Sequence, residues 1–304
     1  MSSFCEDRVV IVTGAGRGIG KEYALMLAEH GAKVVVNDLG GARNGEGEDA
    51  GPADEVVAEI RDKGGEAIAN GANVSDFKAA GEMIRQAIDT YGRLDVLVNN
   101  AGILRDRMLV NMKEDEWDAV INVHLKGTFA PAHHAAGYWR EQSKAGQSVD
   151  ARLINTTSVS GIYGNAGQTN YGAAKAGIAA FSVIASRELG RYGVTVNCIA
   201  PGALTRLTED LMPGEITDEM REAQSPRWIA PIVTWLASSD SRDVTGRVFE
   251  ASGGVLAIAE GWHRGPSVDP VKDPTTLGPI VRKLVSEARL NAGMNGKDQD
   301  GGLL

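Results

Sequence analysis

Short apolar runs alternate with longer segments of helical periodicity along most of this chain. The runs are rich in β-branched residues, as is typical of buried parallel strands, and they lie at residues 9–12, 33–38, 66–69, 94–98, 152–157, 194–200 and 247–251. The helical segments lie at residues 21–30, 53–63, 76–91, 114–141 and 172–191. This alternation predicts an α/β fold with one doubly wound, Rossmann-like parallel sheet of about seven strands and helices on both faces.

No interior linker divides the first 261 residues, so we expect them to form a single domain. Residues 204–223 mix polar and apolar positions around a turn signal at Met212-Pro-Gly214, which suggests a mobile lid over a cleft. Residues 262–304 are predicted to be a C-terminal extension with one amphipathic helix near residues 280–288, docked on its own subunit or a neighbour. We expect residues 295–304 to be disordered.

A glycine-rich turn joins the first strand to its helix. The turn reads Thr13-Gly-Ala-Gly-Arg-Gly-Ile-Gly20, and the next strand ends in the carboxylate of Asp38. Glycine lets the backbone approach a pyrophosphate, and the helix N-terminus supplies free N–H groups and positive potential. The order strand, turn, helix and acidic strand end therefore predicts a dinucleotide site, with binding residues Gly14, Arg17, Gly18, Ile19, Gly20 and Asp38.

Two residues of this site give opposite indications about the cofactor. Arg17 could pair with the 2′-phosphate of NADP, whereas Asp38 could accept hydrogen bonds from both ribose hydroxyls of NAD. The carboxylate would also repel a phosphate, while the long arginine side chain can turn into solvent. We therefore predict NAD as the cofactor.

Tyr171 and Lys175 stand four residues apart in a segment of good helix formers, so they share one helix face. An ammonium beside a phenol stabilises the phenolate, and we expect it to lower the tyrosine pKa from its ordinary value near 10. Ser158 follows a predicted strand that would deliver its hydroxyl beside the phenol. These three residues are candidates for proton transfer to and from a substrate oxygen.

Composition and charge narrow the possible functions. The net charge of −9 argues against a nucleic-acid partner or an anionic membrane surface. The two cysteines give no disulfide framework, and no His/Cys/Asp group has metal-ligand spacing, so no metal is expected. With no apolar run of 18 residues and no leader pattern, we expect no membrane insertion and a cytoplasmic location.

Taken together and in order, these motifs resemble the short-chain dehydrogenase/reductase superfamily over about residues 5–255. The matching segments are the glycine turn, Asn99-Asn-Ala-Gly102, Asn122, Ser158, Tyr171-x-x-x-Lys175 and Pro201-Gly202. The resemblance implies hydride transfer to or from a nicotinamide and a catalytic tetrad of Asn122, Ser158, Tyr171 and Lys175. In that scheme Tyr171 is the general acid/base, Ser158 orients the substrate oxygen, Lys175 also binds the nicotinamide ribose, and Asn122 holds a relay water. Further cofactor contacts are expected at Asn73, Val74, Asn100, Ala101, Gly102, Pro201 and Gly202.

A narrower likeness is to the (3R)-hydroxyacyl-CoA dehydrogenase domain of peroxisomal multifunctional enzyme type 2, also called 17β-hydroxysteroid dehydrogenase type 4. It is carried by Asn37-Asp-Leu-Gly-Gly41, Asn100-Ala-Gly-Ile-Leu-Arg-Asp-Arg107, Val123-His-Leu-Lys-Gly127 and Ser160-Gly-Ile-Tyr-Gly-Asn165. The chain departs from it in having no room for a fused hydratase domain, no peroxisomal tail and its own C-terminal extension. Arg206 stands where many superfamily members have threonine, so either Thr205 or Thr208 is expected to contact the carboxamide.

These likenesses favour an NAD-dependent dehydrogenase acting on a 3-hydroxyacyl-CoA or a similar bulky secondary alcohol. A 3-oxoacyl-carrier-protein reductase, a 17β-hydroxysteroid dehydrogenase and a non-catalytic dinucleotide-binding scaffold are the alternatives. A homodimer or homotetramer is expected through the helix that carries Tyr171, whose small residues are Ala173, Ala174, Ala176, Gly177, Ala179 and Ala180. His124 is predicted to be a packing residue rather than a ligand.

Overall fold

A computed structural model describes residues 3–41, 47, 51–204 and 216–299. The described residues contain an eight-stranded sheet in the order β3-β2-β1-β4-β5-β6-β7-β8. The strands are β1 Val9–Thr13, β2 Lys33–Asn37, β3 Glu66–Asn70, β4 Val96–Asn99, β5 Ala151–Thr156, β6 Val194–Gly202, β7 Val248–Ser252 and β8 Leu256–Ala259. All neighbouring pairs are parallel except β7 with β8. The predicted Rossmann-like fold is confirmed, with one strand more than expected.

Nine α-helices of the described chain flank the sheet or follow it. They are α1 Gly18–Glu29, α2 Gly51–Asp62, α3 Phe77–Tyr91, α4 Glu114–Ile121, α5 Gly127–Lys144, α6 Thr169–Leu189, α7 Asp218–Ala223, α8 Ala230–Ala237 and α9 Leu277–Glu287. The single helical segment expected over residues 114–141 is divided by a π-helical turn, Asn122–Lys126, so α4 and α5 are separate helices.

Two apolar cores lie on opposite faces of the sheet. Val10 and Val12 of β1 point into the core formed with α1, α2 and α8, whereas Val9 and Ile11 point into the core formed with α3, α5 and α6. Side chains alternate between faces along a strand, so a strand buried on both faces must be apolar at every position. This accounts for the uninterrupted apolar runs in the sequence.

The strand order reverses between β1 and β4, and this reversal creates a crevice at the carboxyl ends of the strands. The Thr13 hydroxyl at the end of β1 accepts the backbone N–H groups of Asn100 (2.9 Å) and Ala101 (3.1 Å), which follow β4. The side chain of Asn100 in turn donates to the carbonyls of Thr13 and Gly14, each at 3.1 Å. These bonds hold the two strand ends in register around the crevice.

The region after β7 differs in part from the expectation. The predicted helix of the extension is present as α9, but it buries none of its residues against the described part of the subunit. Residues 291–299 form a turn closed by backbone bonds from Gly293 to Lys297 (2.9 Å) and from Gln299 to Asn291 (3.1 Å), although disorder was predicted from residue 295. The predicted lid lies largely outside the described residues, as do residues 300–304.

The helix expected at a subunit interface has an exposed row of small residues. Ala173, Ala176 and Ala180 are exposed on α6. Ala174 is fully buried and therefore does not belong to this surface, contrary to the expectation.

Candidate active site

Helix α6 carries the candidate proton-transfer residues, and Asn170 fixes where this helix begins. Asn170 is fully buried; its amide donates to the carbonyls of Arg105 (2.9 Å) and Glu116 (3.2 Å), and its oxygen accepts the backbone N–H of Tyr171 (2.8 Å). These bonds tie the first turn of α6 to the loop after β4 and to α4. The position of Tyr171 is thereby set by neighbouring elements as well as by its own helix.

Tyr171 and Lys175 lie one helical turn apart, with the lysine Nζ 5.5 Å from the centre of the tyrosine ring. Lys175 is buried, and its Nζ donates to the carbonyl of Thr156 at the end of β5 (2.7 Å). Ser158, also buried, follows the same strand, and its hydroxyl accepts the backbone N–H of Ser160 at 3.1 Å. The structure thus brings Ser158, Tyr171 and Lys175 together, as the sequence predicted.

Burial has the largest effect on the pKa values of this cluster. It raises the pKa of Tyr171 to about 12, and the negative charge of Asp106 acts in the same direction, while a hydrogen bond with Ser158 lowers it. Burial lowers the pKa of Lys175 to about 7. Burial thus outweighs the lowering of the tyrosine pKa expected from the lysine, because desolvation opposes the charged form of both groups.

The side chain of Asn122, the fourth predicted member of the tetrad, makes no direct hydrogen bond with these three residues in the described part of the structure. Asn122 is exposed at the start of the π-helical turn, and its amide donates to the hydroxyl of Ser75 at 3.0 Å. The wider π turn rotates the following residues, and His124 is the one that reaches Tyr171, with ring centres 5.1 Å apart and planes at 88°. A π turn cannot be read from periodicity, although His124 lies in a segment that carried the narrower likeness.

A cavity of about 380 Å³ fills the crevice between β1 and β4, a volume within the usual range of about 300–1,000 Å³ for small-molecule sites. Its lining includes ten of the predicted cofactor residues: Gly14, Arg17, Gly18, Ile19, Asp38, Asn73, Val74, Asn100, Ala101 and Gly102. Asn122 lines it as well, together with residues that the sequence analysis did not select, among them Leu39, Ser75, Ile103 and Arg105.

Five predicted cofactor residues are not part of the cavity lining: Gly20, Tyr171, Lys175, Pro201 and Gly202. Gly20 packs against the glycine turn, since a Cβ there would lie 2.2 Å from the carbonyl oxygen of Gly14. Pro201 and Gly202 end β6 and pair with Ala251 and Ser252 of β7. Thr205 and Thr208, the candidates for the carboxamide contact, lie outside the described residues.

The glycine turn has the shape that a dinucleotide site requires. Gly14 has φ +63°, and a Cβ at this position would lie 2.7 Å from the Cα of Ala101. The two oxygens of Asp38 accept the backbone N–H groups of Gly16 (2.8 Å) and Gly40 (2.7 Å). A carboxylate can accept about four hydrogen bonds, so Asp38 keeps acceptor capacity for ribose hydroxyls. The residues present therefore fit a nicotinamide dinucleotide.

Among the described residues, no group of three or more His, Cys, Asp or Glu side chains could hold a metal ion. Likewise, none of the described helices is long and apolar enough to cross a membrane.

Comparison with known proteins agrees with this geometry. The family model described as short chain dehydrogenase matches residues 8–215. A crystal structure of a short chain dehydrogenase from Mycobacterium avium is 51% identical, with a TM-score of 0.86 over 95% of this chain and 98% of that one. The hydroxyacyl-CoA dehydrogenase ChsB1 of Mycobacterium tuberculosis is 42% identical over 90% of this chain and 87% of its own length.

Two further relatives differ in how much of their length is matched. The peroxisomal multifunctional enzyme type 2 of Mus musculus is 42% identical over 91% of this chain, which spans only 34% of that protein. A 3-oxoacyl-[acyl-carrier-protein] reductase of Synechocystis is 42% identical over 82% of this chain and 97% of its length. The chain belongs to the short-chain dehydrogenase family, whose members are oxidoreductases that use a nicotinamide dinucleotide.

Proposed function

We propose that this protein is an NAD-dependent dehydrogenase that interconverts a 3-hydroxyacyl-CoA and its 3-oxo form. The observation that carries the proposal is the convergence of Ser158, Tyr171 and Lys175. The cluster is joined to the glycine-lined cleft through His124, which contacts Tyr171 and bonds to the lining residue Ile103. The acyl-CoA substrate class is supported by the full-length likeness to the mycobacterial hydroxyacyl-CoA dehydrogenase.

Each residue of the cluster has a distinct part in this reaction. A bound nicotinamide would supply the acceptor for the hydride of the carbinol carbon. The phenolate of Tyr171 accepts the hydroxyl proton, and the Ser158 hydroxyl donates a hydrogen bond to the same substrate oxygen. The ammonium form of Lys175 stabilises the phenolate. The alcohol thus loses one hydride and one proton, and the reverse transfers regenerate it from the ketone.

Burial of the cluster couples the charges of Tyr171 and Lys175. Desolvation keeps the pKa of Tyr171 high and that of Lys175 low, so it costs free energy to charge either group while the other is neutral. Phenolate and ammonium stabilise each other when they form together, so the two side chains titrate as a pair. We therefore assign proton transfer to the Tyr171–Lys175 pair.

We propose NAD rather than NADP because of Asp38. Its carboxylate is held by two backbone N–H groups, so it cannot easily move away from a 2′-phosphate. Arg17 is exposed and can remain in solvent. A preference of at least about tenfold for NAD follows, and its test opens the Discussion.

A second candidate is reduction of a 3-oxoacyl group on a carrier protein, which is favoured by the likeness to the Synechocystis reductase over nearly its whole length. The carbon chemistry at the 3-position is the same in both cases. The candidates differ in the carrier, a CoA thioester or a protein-bound thioester, and in the usual cofactor. A steroid alcohol is a further variant of the same chemistry.

The deciding experiment is to follow reduced-nicotinamide absorbance with a matched panel of substrates. The panel contains 3-hydroxyacyl-CoA esters of several chain lengths in both configurations, the corresponding carrier-protein thioesters and a 17β-hydroxysteroid. We expect the highest kcat/KM with a CoA ester and NAD. A higher value with the carrier-protein thioester and NADPH would establish the second candidate. No turnover of any alcohol, with NAD still bound, would establish a dinucleotide-binding scaffold.

We also propose a homodimer or homotetramer formed through the exposed small residues of α6. The cytoplasmic location remains a prediction.

A further inference from the structure

His124 is a buried histidine that has no part in the proposed reaction as described above. It lies in the π-helical turn between α4 and α5 and is only 2% exposed. One side of its ring faces Gly102, where an added Cβ would lie 2.4 Å from the imidazole Cε1. Its ring also contacts that of Tyr171 at 5.1 Å between centres, with the two planes perpendicular. His124 therefore fills the space between the cleft-lining loop and Tyr171.

One ring nitrogen fixes the imidazole to that loop. Nε2 lies 2.7 Å from the carbonyl oxygen of Ile103 and 3.1 Å from its backbone nitrogen. In the tautomer with the shorter bond, Nε2–H donates to the carbonyl of Ile103 and Nδ1 keeps its lone pair. Gly102 and Ile103 both line the dinucleotide cavity. The hydrogen bond thus joins the cleft wall to a ring that contacts Tyr171.

The imidazole is uncharged at neutral pH. Burial, together with the nearby positive charge of Lys175, lowers the pKa of His124 to about 3. Nδ1 is buried and has no hydrogen-bond partner among the described residues. The phenol of Tyr171 therefore has an uncharged ring as its neighbour, which adds no positive charge beside Lys175. The hydrogen bond with Ser158 lowers the pKa of Tyr171, so a phenol held less firmly in place should titrate at higher pH.

We propose that His124 is a positioning residue for Tyr171. The ring of His124 holds the phenol in place, and its hydrogen bond to Ile103 ties the phenol to the cleft wall. This inference rests on the proposed function, since it concerns the same proton transfer. It also separates two neighbouring residues of the π turn. Asn122 bonds to Ser75, and both residues line the cavity, so we assign Asn122 to the dinucleotide cleft rather than to the phenol.

The other titratable groups near the phenol come from three elements. Lys175 lies on α6 with Tyr171 itself, and Asp106 lies on the loop after β4. Behind Lys175, burial raises the pKa of the Cys198 thiol on β6 to about 12, which leaves it uncharged. A substitution at position 124 leaves these three groups in place, so a change in the titration of Tyr171 can be assigned to position 124.

The test compares His124→Phe, which keeps a ring but loses the bond to Ile103, with His124→Gln, whose amide can still reach that carbonyl. With an alcohol that the wild type oxidises, we expect His124→Phe to lower kcat about tenfold or more and to move the pH profile of kcat/KM to higher pH. The dissociation constant of NAD should stay within about threefold. His124→Gln should recover part of the lost kcat. Asn122→Ala, the matched control, should instead weaken NAD binding and leave the pH profile in place.

A measurement without substrate keeps failure of this inference distinct from failure of the proposed function. Titration of the Tyr171 phenol by ultraviolet difference against Tyr171→Phe, with NAD present, should give a higher pKa in His124→Phe than in the wild type. If His124→Phe only lowers thermal stability, with kcat, pH profile and phenol titration unchanged, the inference is wrong. If His124→Phe does not fold, His124→Gln decides alone. A partial loss of kcat together with a phenol titration moved to higher pH supports the inference, because Gln keeps the bond to Ile103 but lacks the ring. An unchanged kcat, or a loss of kcat without a shift of the titration, overturns it.

Discussion

Replacement of Asp38 by asparagine should reduce the preference for NAD over NADP. The aspartate accepts backbone N–H groups from Gly16 and Gly40 through different oxygens. Asparagine has nearly the same shape and keeps one acceptor oxygen, so the glycine turn is largely retained while the negative charge is removed. One backbone N–H loses its partner, at a cost of about 1–3 kcal/mol in stability.

The size of the effect follows from Coulomb's law. Two unit charges about 4 Å apart interact with about 1 kcal/mol in water and several times more in a partly buried site. A phosphate carries about 1.5–2 negative charges at neutral pH. Its repulsion from Asp38 is therefore about 2 kcal/mol or more, which corresponds to a factor of about thirty in kcat/KM. Removing the carboxylate charge should reduce the NAD-to-NADP ratio by about tenfold or more.

The assay is kcat/KM for both cofactors with one alcohol, in the wild type and in Asp38→Asn. Arg17→Met serves as the control of opposite sign, because it removes a positive charge that favours the 2′-phosphate and should raise the NAD preference. A wild type that favours NADP would refute the reasoning. So would an unchanged ratio in an Asp38→Asn protein that shows cooperative thermal unfolding.

Four further results are expected. Tyr171→Phe should lower kcat by about 10²–10⁴-fold with little change in NAD binding by fluorescence titration, because the phenol transfers the proton; retention of most activity would contradict this role. Asp106→Asn should move the pH profile of alcohol oxidation to lower pH, because the carboxylate raises the pKa of Tyr171 and the reaction needs the phenolate. A shift to higher pH would contradict this effect of Asp106. Ala180→Glu should give a smaller species than the wild type by light scattering with unchanged thermal stability, because this exposed residue lies in the predicted subunit interface. A wild-type protein that is monomeric would contradict the predicted interface. His124→Gln should lose less stability than the wild type as pH falls from about 6.5 to about 3. The pKa of the buried imidazole is lower in the folded protein than in the unfolded chain. The contribution of neutral His124 to stability is therefore complete above about pH 6.5 and is lost as the pH falls to about 3. Equal slopes of melting temperature against pH in the two proteins would contradict this prediction.

The sequence predicted the parts of the molecule that depend on local patterns. Residues 9–12 of β1 are apolar at every position because both faces of the strand are buried, and Gly14 follows the strand because the turn requires a positive φ. Tyr171 and Lys175 could be paired from helical spacing alone. These features are local, so periodicity and turn chemistry were sufficient to find them.

The features that were missed depend on contacts between distant segments. The π turn at Asn122–Lys126 changes which residue faces α6, and no periodic pattern marks it in advance. Strand β8 has three exposed residues among its four and exists because it pairs with β7, so it lacks the apolar signature of the buried strands. The direction of the Tyr171 pKa shift required knowledge of how deeply the pair is buried, which spacing does not contain.

The close approach of Gly102 to His124 also constrains how this sequence can evolve. With histidine in place, even a methyl group at position 102 would have to overlap the imidazole, at 2.4 Å from its Cε1. A smaller side chain at position 124 would remove that overlap but would also remove the ring that contacts Tyr171. The two positions are therefore expected to be epistatic: the steric cost of a side chain at residue 102 depends on which residue occupies position 124.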